Sequence, residues 1–174
     1  IMASREGASR EPFKMLGKPT IFYGGTSGDL ESLSNRYTDE LKLRNDDADT
    51  PRAEAGKRPD GSVIGYSQRG REAYDDTPIV IGGIEASLRR IAQYDYWSDA
   101  VRRSILIDSN ADILLFGNAE RALAEVAHQI AEGKTTEELS YLRGTAVVRD
   151  AVPNGWTEID STRVDWPATI DAIP

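Results

Sequence analysis

The chain has 174 residues, 21 Lys+Arg against 29 Asp+Glu, a formal net charge of -8 and no cysteine. That length suits one compact domain, and the acidic balance argues against non-specific binding to a nucleic-acid backbone. The lack of cysteine excludes disulfides, thiolate metal sites and a thiol nucleophile.

In chain order, residues 1–18 read as a polar, loose segment. Thr20-Ile21-Phe22-Tyr23 is a short apolar run that stops at Gly24-Gly25, the pattern of a buried strand entering a tight turn. Leu30, Leu33 and Tyr37 then fall at helical spacing, with Asp29 as the candidate N-cap. Lys42 to Gly61 is dense in charge, Pro and Gly and reads as a long loop, either functional or simply solvated. Ser62-Val63-Ile64-Gly65-Tyr66 is a strand candidate, followed by a polar helix over about Gln68 to Tyr74.

Pro78-Ile79-Val80-Ile81 is the clearest strand, with a β-branched pattern buried on both faces and a stop at Gly82-Gly83. Ile113-Leu114-Leu115-Phe116-Gly117 repeats that design, and Asn118 is placed to cap the next helix. Ala119, Ala122, Leu123, Val126, Ala127 and Ile130 line one face of that helix, which Gly133 ends. Thr145-Ala146-Val147-Val148 is a last strand; Ser104-Ile105-Leu106-Ile107 reads as a strand or as the end of a buried helix. Strands alternating with helices predict an α/β domain of three layers around a mainly parallel, Rossmann-like sheet. Its functional loops are expected at the carboxyl ends of the strands.

The most informative stretch follows Ile81. Gly82 and Gly83 permit close backbone approach to a ligand. Glu85, Ser87, Arg89, Arg90, Tyr94, Asp95, Tyr96, Trp97, Arg102 and Arg103 then crowd arginines, carboxylates and rings together. Arginines bind carboxylate or phosphate through paired donors, and rings stack on planar ligands. The same composition also fits a surface ion-pair network with aromatics in the core. These residues, with Asn118, are the candidate cofactor- or substrate-facing set. Catalytic residues are not identifiable, no metal ligands are expected, and the single histidine, His128, reads as a solvated or edge-of-core side chain on an amphipathic helix.

The blocks Gly82-Gly83-Ile84-Glu85-Ala86-Ser87-Leu88-Arg89-Arg90, Tyr94-Asp95-Tyr96-Trp97-Ser98-Asp99 and Ala111-Asp112-Ile113-Leu114-Leu115-Phe116-Gly117-Asn118-Ala119-Glu120-Arg121 closely resemble the N-terminal region of the YgiQ family of radical S-adenosylmethionine (SAM) proteins. Asn35-Arg36-Tyr37, Asn45-Asp46-Asp47-Ala48, Gly56-Lys57-Arg58-Pro59-Asp60 and Asp160-Ser161-Thr162-Arg163 extend the resemblance over roughly residues 14 to 174. It implies a larger parent enzyme whose core binds a 4Fe-4S cluster through Cys-x3-Cys-x2-Cys and uses SAM. That motif is absent from this chain, so no cofactor is expected within it and it is not expected to be catalytic alone.

The order Gly65-Tyr66-Ser67, Val80-Ile81-Gly82-Gly83, Asp112 to Gly117 and Glu120 is also similar to the cobalamin-binding domains that precede many radical SAM cores. In those domains an Asp-x-His-x-x-Gly ligand motif follows the first strand. Here Gly24-Gly25-Thr26-Ser27-Gly28-Asp29 stands in its place with no histidine, which excludes imidazole ligation of cobalt there and leaves cobalamin bound without a protein ligand as the open, less favoured alternative.

The expected organisation is a loose segment over 1–18, a cobalamin-binding-like α/β domain over 19–150, and a connection over 151–174 toward a radical SAM core. The expected partners are that core in the same polypeptide and an unidentified small-molecule or macromolecular substrate. No apolar run approaches the roughly 20 residues of a membrane helix, and no basic-then-apolar signal opens the chain, so a cytoplasmic protein without membrane contact is expected. The alternatives are a free-standing anion- or nucleotide-binding module and a structural interaction domain.

Overall fold

A computed structural model describes residues 9–28, 31–47, 50–57 and 59–157. In chain order these form α1 (Glu11–Lys14), β1 (Tyr23–Gly25), α2 (Ser32–Arg36), a 3-10 turn (Pro51–Ala53), α3 (Ser62–Ala73), β2 (Ile79–Ile81) and α4 (Gly83–Leu88). They continue with β3 (Gln93–Asp95), β4 (Ala100–Arg102), α5 (Ile105–Asp108), β5 (Ile113–Leu115), α6 (Glu120–Ala131), a second 3-10 turn (Thr136–Leu139) and β6 (Thr145–Ala146).

The chain is an α/β protein with a mixed, mostly parallel sheet. The sheet order is β1-β2-β5-β6; β1, β2 and β5 run parallel, and β6 pairs antiparallel with β5. β3 and β4 form a separate antiparallel ribbon. Alternation along the central strands divides the core in two. Ile79, Ile81 and Leu114 point toward Val63 of α3, Ala86 of α4, and Ile105 and Leu106 of α5. Val80, Ile113 and Leu115 point the other way, toward Val126 of α6 and Leu139. Both faces of the sheet are therefore covered, which is why the strands read as continuous apolar runs.

The helices of the first two crossovers, α3, α4 and α5, all lie on one face. Right-handed crossovers that keep moving in one direction across a sheet require this. Among the described residues the strands stand in chain order, without the order reversal that opens a crevice in doubly wound sheets. A strand beside β1 would have created one.

Ser62-Val63-Ile64-Gly65-Tyr66, expected to be a strand, is the first turn of α3 instead. Its start is capped from a distance: Ser62 N–H donates to Ser32 Oγ at 3.0 Å and Val63 N–H to a Glu85 carboxylate oxygen at 3.4 Å. Three other expectations are revised. Residues 11–14 of the segment expected to be loose form a short helix whose Phe13 is buried against Tyr23 and Tyr66. Asn118 does not cap α6, whose N-cap is Ala119 without a side-chain bond. Ser104-Ile105-Leu106-Ile107 resolves as the start of α5, capped by Ser104 Oγ accepting from Leu106 N–H at 3.3 Å. Asp29, expected to cap the preceding helix, lies outside the described residues.

Gly133 ends α6 as its position suggests. It has φ of +92°, its N–H bonds Ile130 C=O, and Lys134 N–H bonds Gln129 C=O, the two bonds of a Schellman motif. At the amino edge of the sheet, Arg71 in the last turn of α3 donates to Thr77 C=O at 2.9 Å and pairs with Asp112 at 2.7 Å. Asp112 in turn accepts from Ile79 N–H at 2.6 Å, so one ion pair ties α3 to the starts of β2 and β5.

Tyr23 packs between Phe13 and the backbone of Gly70. Burial, and then the neighbouring Tyr66, push its hydroxyl up from 10.0 to about 12. Because the folded value lies above the unfolded one, its contribution to stability is complete below the ordinary tyrosine value and is lost as pH rises through the folded value. An absorbance titration should find one tyrosine ionising late, together with loss of helix signal. Tyr23→Phe should abolish that late step; if it persists, another tyrosine is responsible.

Candidate functional site

The carboxyl edge of the sheet is built around the turn after β2. Gly83 has φ of +86°, in the left-handed region, and a Cβ there would meet Thr26 Oγ1 at 2.5 Å. Only glycine lets the chain turn this close to the loop after β1. The turn starts α4 at once and directs its third residue, Glu85, into the interior.

Glu85 is 1% exposed. Its carboxylate accepts from Ser32 N–H at 3.0 Å, from the Ser32 hydroxyl, and from Val63 N–H. It thus sits at the amino ends of α2, α3 and its own helix, where the helix dipoles favour negative charge. The described partners of Glu85 are thus helix starts and a serine, not the arginines of the same stretch. Ser87 is also engaged internally, its Oγ accepting from Gly117 N–H at 3.3 Å. Arg90 leaves this layer for the surface, donating to Ser87 C=O at 2.6 Å with its guanidinium 5.1 Å from the Phe116 ring centroid. Gly82 donates to Gly25 C=O at 3.0 Å. Asn118 is exposed just beyond β5.

The other candidates converge. Arg89, Asp95, Trp97, Arg102 and Arg103 line one cleft of about 330 Å³. The start of α3 forms one wall through Gly61 and Ile64, and α5 another through its first and last residues, Ile105 and Asp108. The ribbon supplies the third wall. Its base is closed by Ile105 N–H to Arg89 C=O at 2.9 Å and by Ser104 Oγ to Arg90 C=O at 2.7 Å. Its tip is held by Trp97, whose ring packs against Tyr37 with centroids 4.8 Å apart and the planes tilted by 42°. Tyr94 and Tyr96 do not face the cleft side of this group; both are exposed.

Each arginine of the cleft has a carboxylate partner: Arg89 with Glu31, Arg102 with Asp95 at 3.6 Å, and Arg103 with Asp108. Asp60 at the rim is held by Arg36 at 3.1 Å and the Tyr37 hydroxyl at 3.2 Å. Burial pushes the Asp95 carboxyl up, but the Ser98 hydroxyl, the Arg89 charge, the Trp97 N–H and Arg102 outweigh it and hold the group below its ordinary range. Gln93 Oε1 is buried with no donor among the described residues. Gln93, Asp60 and Asp108 were not among the sequence candidates. Polar-apolar alternation in Gln93-Tyr94-Asp95 was the available signal for the first; Asp60 ends the Gly56-Lys57-Arg58-Pro59-Asp60 block of the resemblance, and Asp108 carries no local mark.

Among the described residues, no group of three or more His, Cys, Asp or Glu is placed to hold a metal ion, and no helix is long and apolar enough to cross a membrane.

Residues 1–168 match the family described as Radical SAM N-terminal, and the chain belongs to that family. Within it, the chain is 58% identical over 174 residues to a UPF0313 protein of Vibrio vulnificus (strain YJ016), covering 100% of this chain and 23% of that protein. It is 54% identical over 175 residues to the UPF0313 protein YgiQ of Escherichia coli (strain K12), covering 100% of this chain and 24% of that one. A UPF0313 protein of Pseudomonas aeruginosa (strain PAO1) is 54% identical over 173 residues, with 99% and 23% covered. The chain therefore spans under a quarter of the length of these relatives. No solved structure matches the chain at a significant level.

Two outcomes are expected at this edge. Glu85→Ala leaves two helix-start N–H groups and Ser32 without their buried acceptor, and should cost about 3 kcal/mol in chemical denaturation, since hydrogen bonds to charged groups contribute roughly 1.5–3 kcal/mol each; a loss near zero would deny the carboxylate its anchoring role. Asp95, with a depressed folded value, contributes stability above its ordinary range that is lost as pH falls through the folded value. Trp97 fluorescence, read with the other tryptophans replaced by Phe, should report the ribbon loosening only under acid below the ordinary carboxylate range. In Asp95→Asn that acid step should be missing.

Proposed function

We propose that this chain is the accessory domain of a cytoplasmic, SAM-dependent 4Fe-4S enzyme, and that its cleft forms part of the substrate side of the active site. Its family and the length of its relatives support a radical SAM core in the same polypeptide. The cluster belongs to that core: cluster iron is held by thiolates, and this chain has none. Cobalamin finds little support, because no histidine stands in the loop directly after β1 and the strands among the described residues lack the order reversal of a doubly wound sheet.

The observation that carries the reading is the lining of the cleft. It balances Arg89, Arg102 and Arg103 against Asp60, Asp95 and Asp108, and adds Gln93 Oε1 as a buried acceptor without a donor among the described residues. Orphaned buried acceptors of this kind call for a partner. A balanced lining suits a polar ligand that is uncharged or zwitterionic and offers an N–H or O–H to Gln93, with Trp97 as the flat apolar surface. A polyanion would have to displace three existing carboxylate partners, so an anion- or nucleotide-binding module is the weaker reading.

Arg102 and Arg103 are the most exposed of the cleft arginines. Arg102→Ala with Arg103→Ala should leave the melting temperature within a few degrees, because exposed pairs contribute roughly 0–1 kcal/mol each. In the full-length protein, the pair of changes should leave iron and sulfide content intact and abolish retention of a polar small molecule from cell extract, read by mass spectrometry. Equal retention by variant and parent would reject the cleft as the ligand site.

A further inference from the structure

The β3–β4 ribbon is amphipathic in the opposite sense to that of a free-standing surface hairpin. Its pairs are Gln93↔Arg102, Tyr94↔Val101 and Asp95↔Ala100. Side chains alternate across a strand, so Gln93, Asp95 and Arg102 share the face that lines the cleft. Tyr94 and Val101 share the other face and are 62% and 77% exposed. Polar groups point inward and the apolar cross-strand pair points to water. Ile91, just before the ribbon, is 63% exposed, and Leu88 at the end of α4 is 59% exposed. A two-stranded ribbon without a covered apolar face is marginal in water, and nothing in the described part of this chain covers this one.

We propose that the outward face of the ribbon, Tyr94 and Val101 with Ile91 at its base, is the surface on which the radical SAM core of the same polypeptide docks. This rests on the reading of the chain as an accessory domain. Three observations favour the core over other occupants. More than three quarters of the length of the relatives lies outside this chain, so a tethered partner is at hand, and tethering lets a small patch suffice through high effective concentration. A few side chains fall short of the roughly 800 Å² per partner that a stable untethered interface buries. The patch is also the back of the wall whose front lines the cleft, so a domain seated on it would adjoin the ligand.

The test uses the full-length protein with a photo-crosslinking amino acid at position 101, and separately at position 128, exposed on α6 across the sheet. Position 101 should crosslink within one molecule to peptides from the core, and position 128 should not. Crosslinks from 101 between two molecules, none to the core, or equal yields from both positions would overturn the proposal. Tyr94→Lys with Val101→Glu, in the same protein, should raise hydrogen exchange at least tenfold in core peptides that crosslink to 101 while leaving β2 and β5 protected. Unchanged exchange in those core peptides would count against docking. Core crosslinks from 101 combined with normal ligand retention in Arg102→Ala/Arg103→Ala would keep the docking face and reject the cleft.

Discussion

Three helices begin at one point at the carboxyl edge of the sheet, and a single carboxylate answers all of them. Glu85 accepts from the first N–H of α2 and from the second of α3, and stands in the first turn of α4. Helix starts carry unsatisfied N–H groups and partial positive charge. Bringing three of them together in a buried place would be costly without an anion among them. Glu85 makes the convergence favourable, and Ser32 extends it by accepting from Ser62 while donating to Glu85. The cleft depends on this arrangement, because two of its walls contain the start of α3 and the residues that follow α4.

What local sequence rules reveal is limited by this same interaction. β2 and β5 were legible because a short apolar run bounded by glycine and buried on both faces has no other good use, and α6 because its apolar stripe repeats at helical spacing up to a glycine stop. Ser62-Val63-Ile64 was not legible as helix. Its side chains favour a strand, and the groups that start the helix, Ser32 and Glu85, lie far away in the chain. Capping supplied at long range leaves no trace in the adjacent residues.

The ribbon was hidden for a different reason. Gln93-Tyr94-Asp95 alternates over too few residues to register as a strand, Ala100-Val101-Arg102 does not alternate at all, and the turn between them relies on Asp99 in the left-handed region at φ of +48° rather than on a glycine. The arginines and rings it carries were visible as a cluster. Their division between a cleft face and an outward face follows from pairing register, which composition does not record.

The strand order also bears on how the chain acquires its structure during synthesis. Each sheet strand pairs with the sheet strand that precedes it in the chain: β2 on β1, β5 on β2, β6 on β5. No strand has to be inserted between two that have already paired. Domains fold from the N-terminal side as translation proceeds, at about 5–20 residues per second. A sheet with this order can extend at one edge as the nascent chain emerges, each new strand meeting a template that is already in place. The Glu85 anchor becomes available as soon as β2 has turned into α4, so the helices before it can be fixed while the later strands are still within the ribosome.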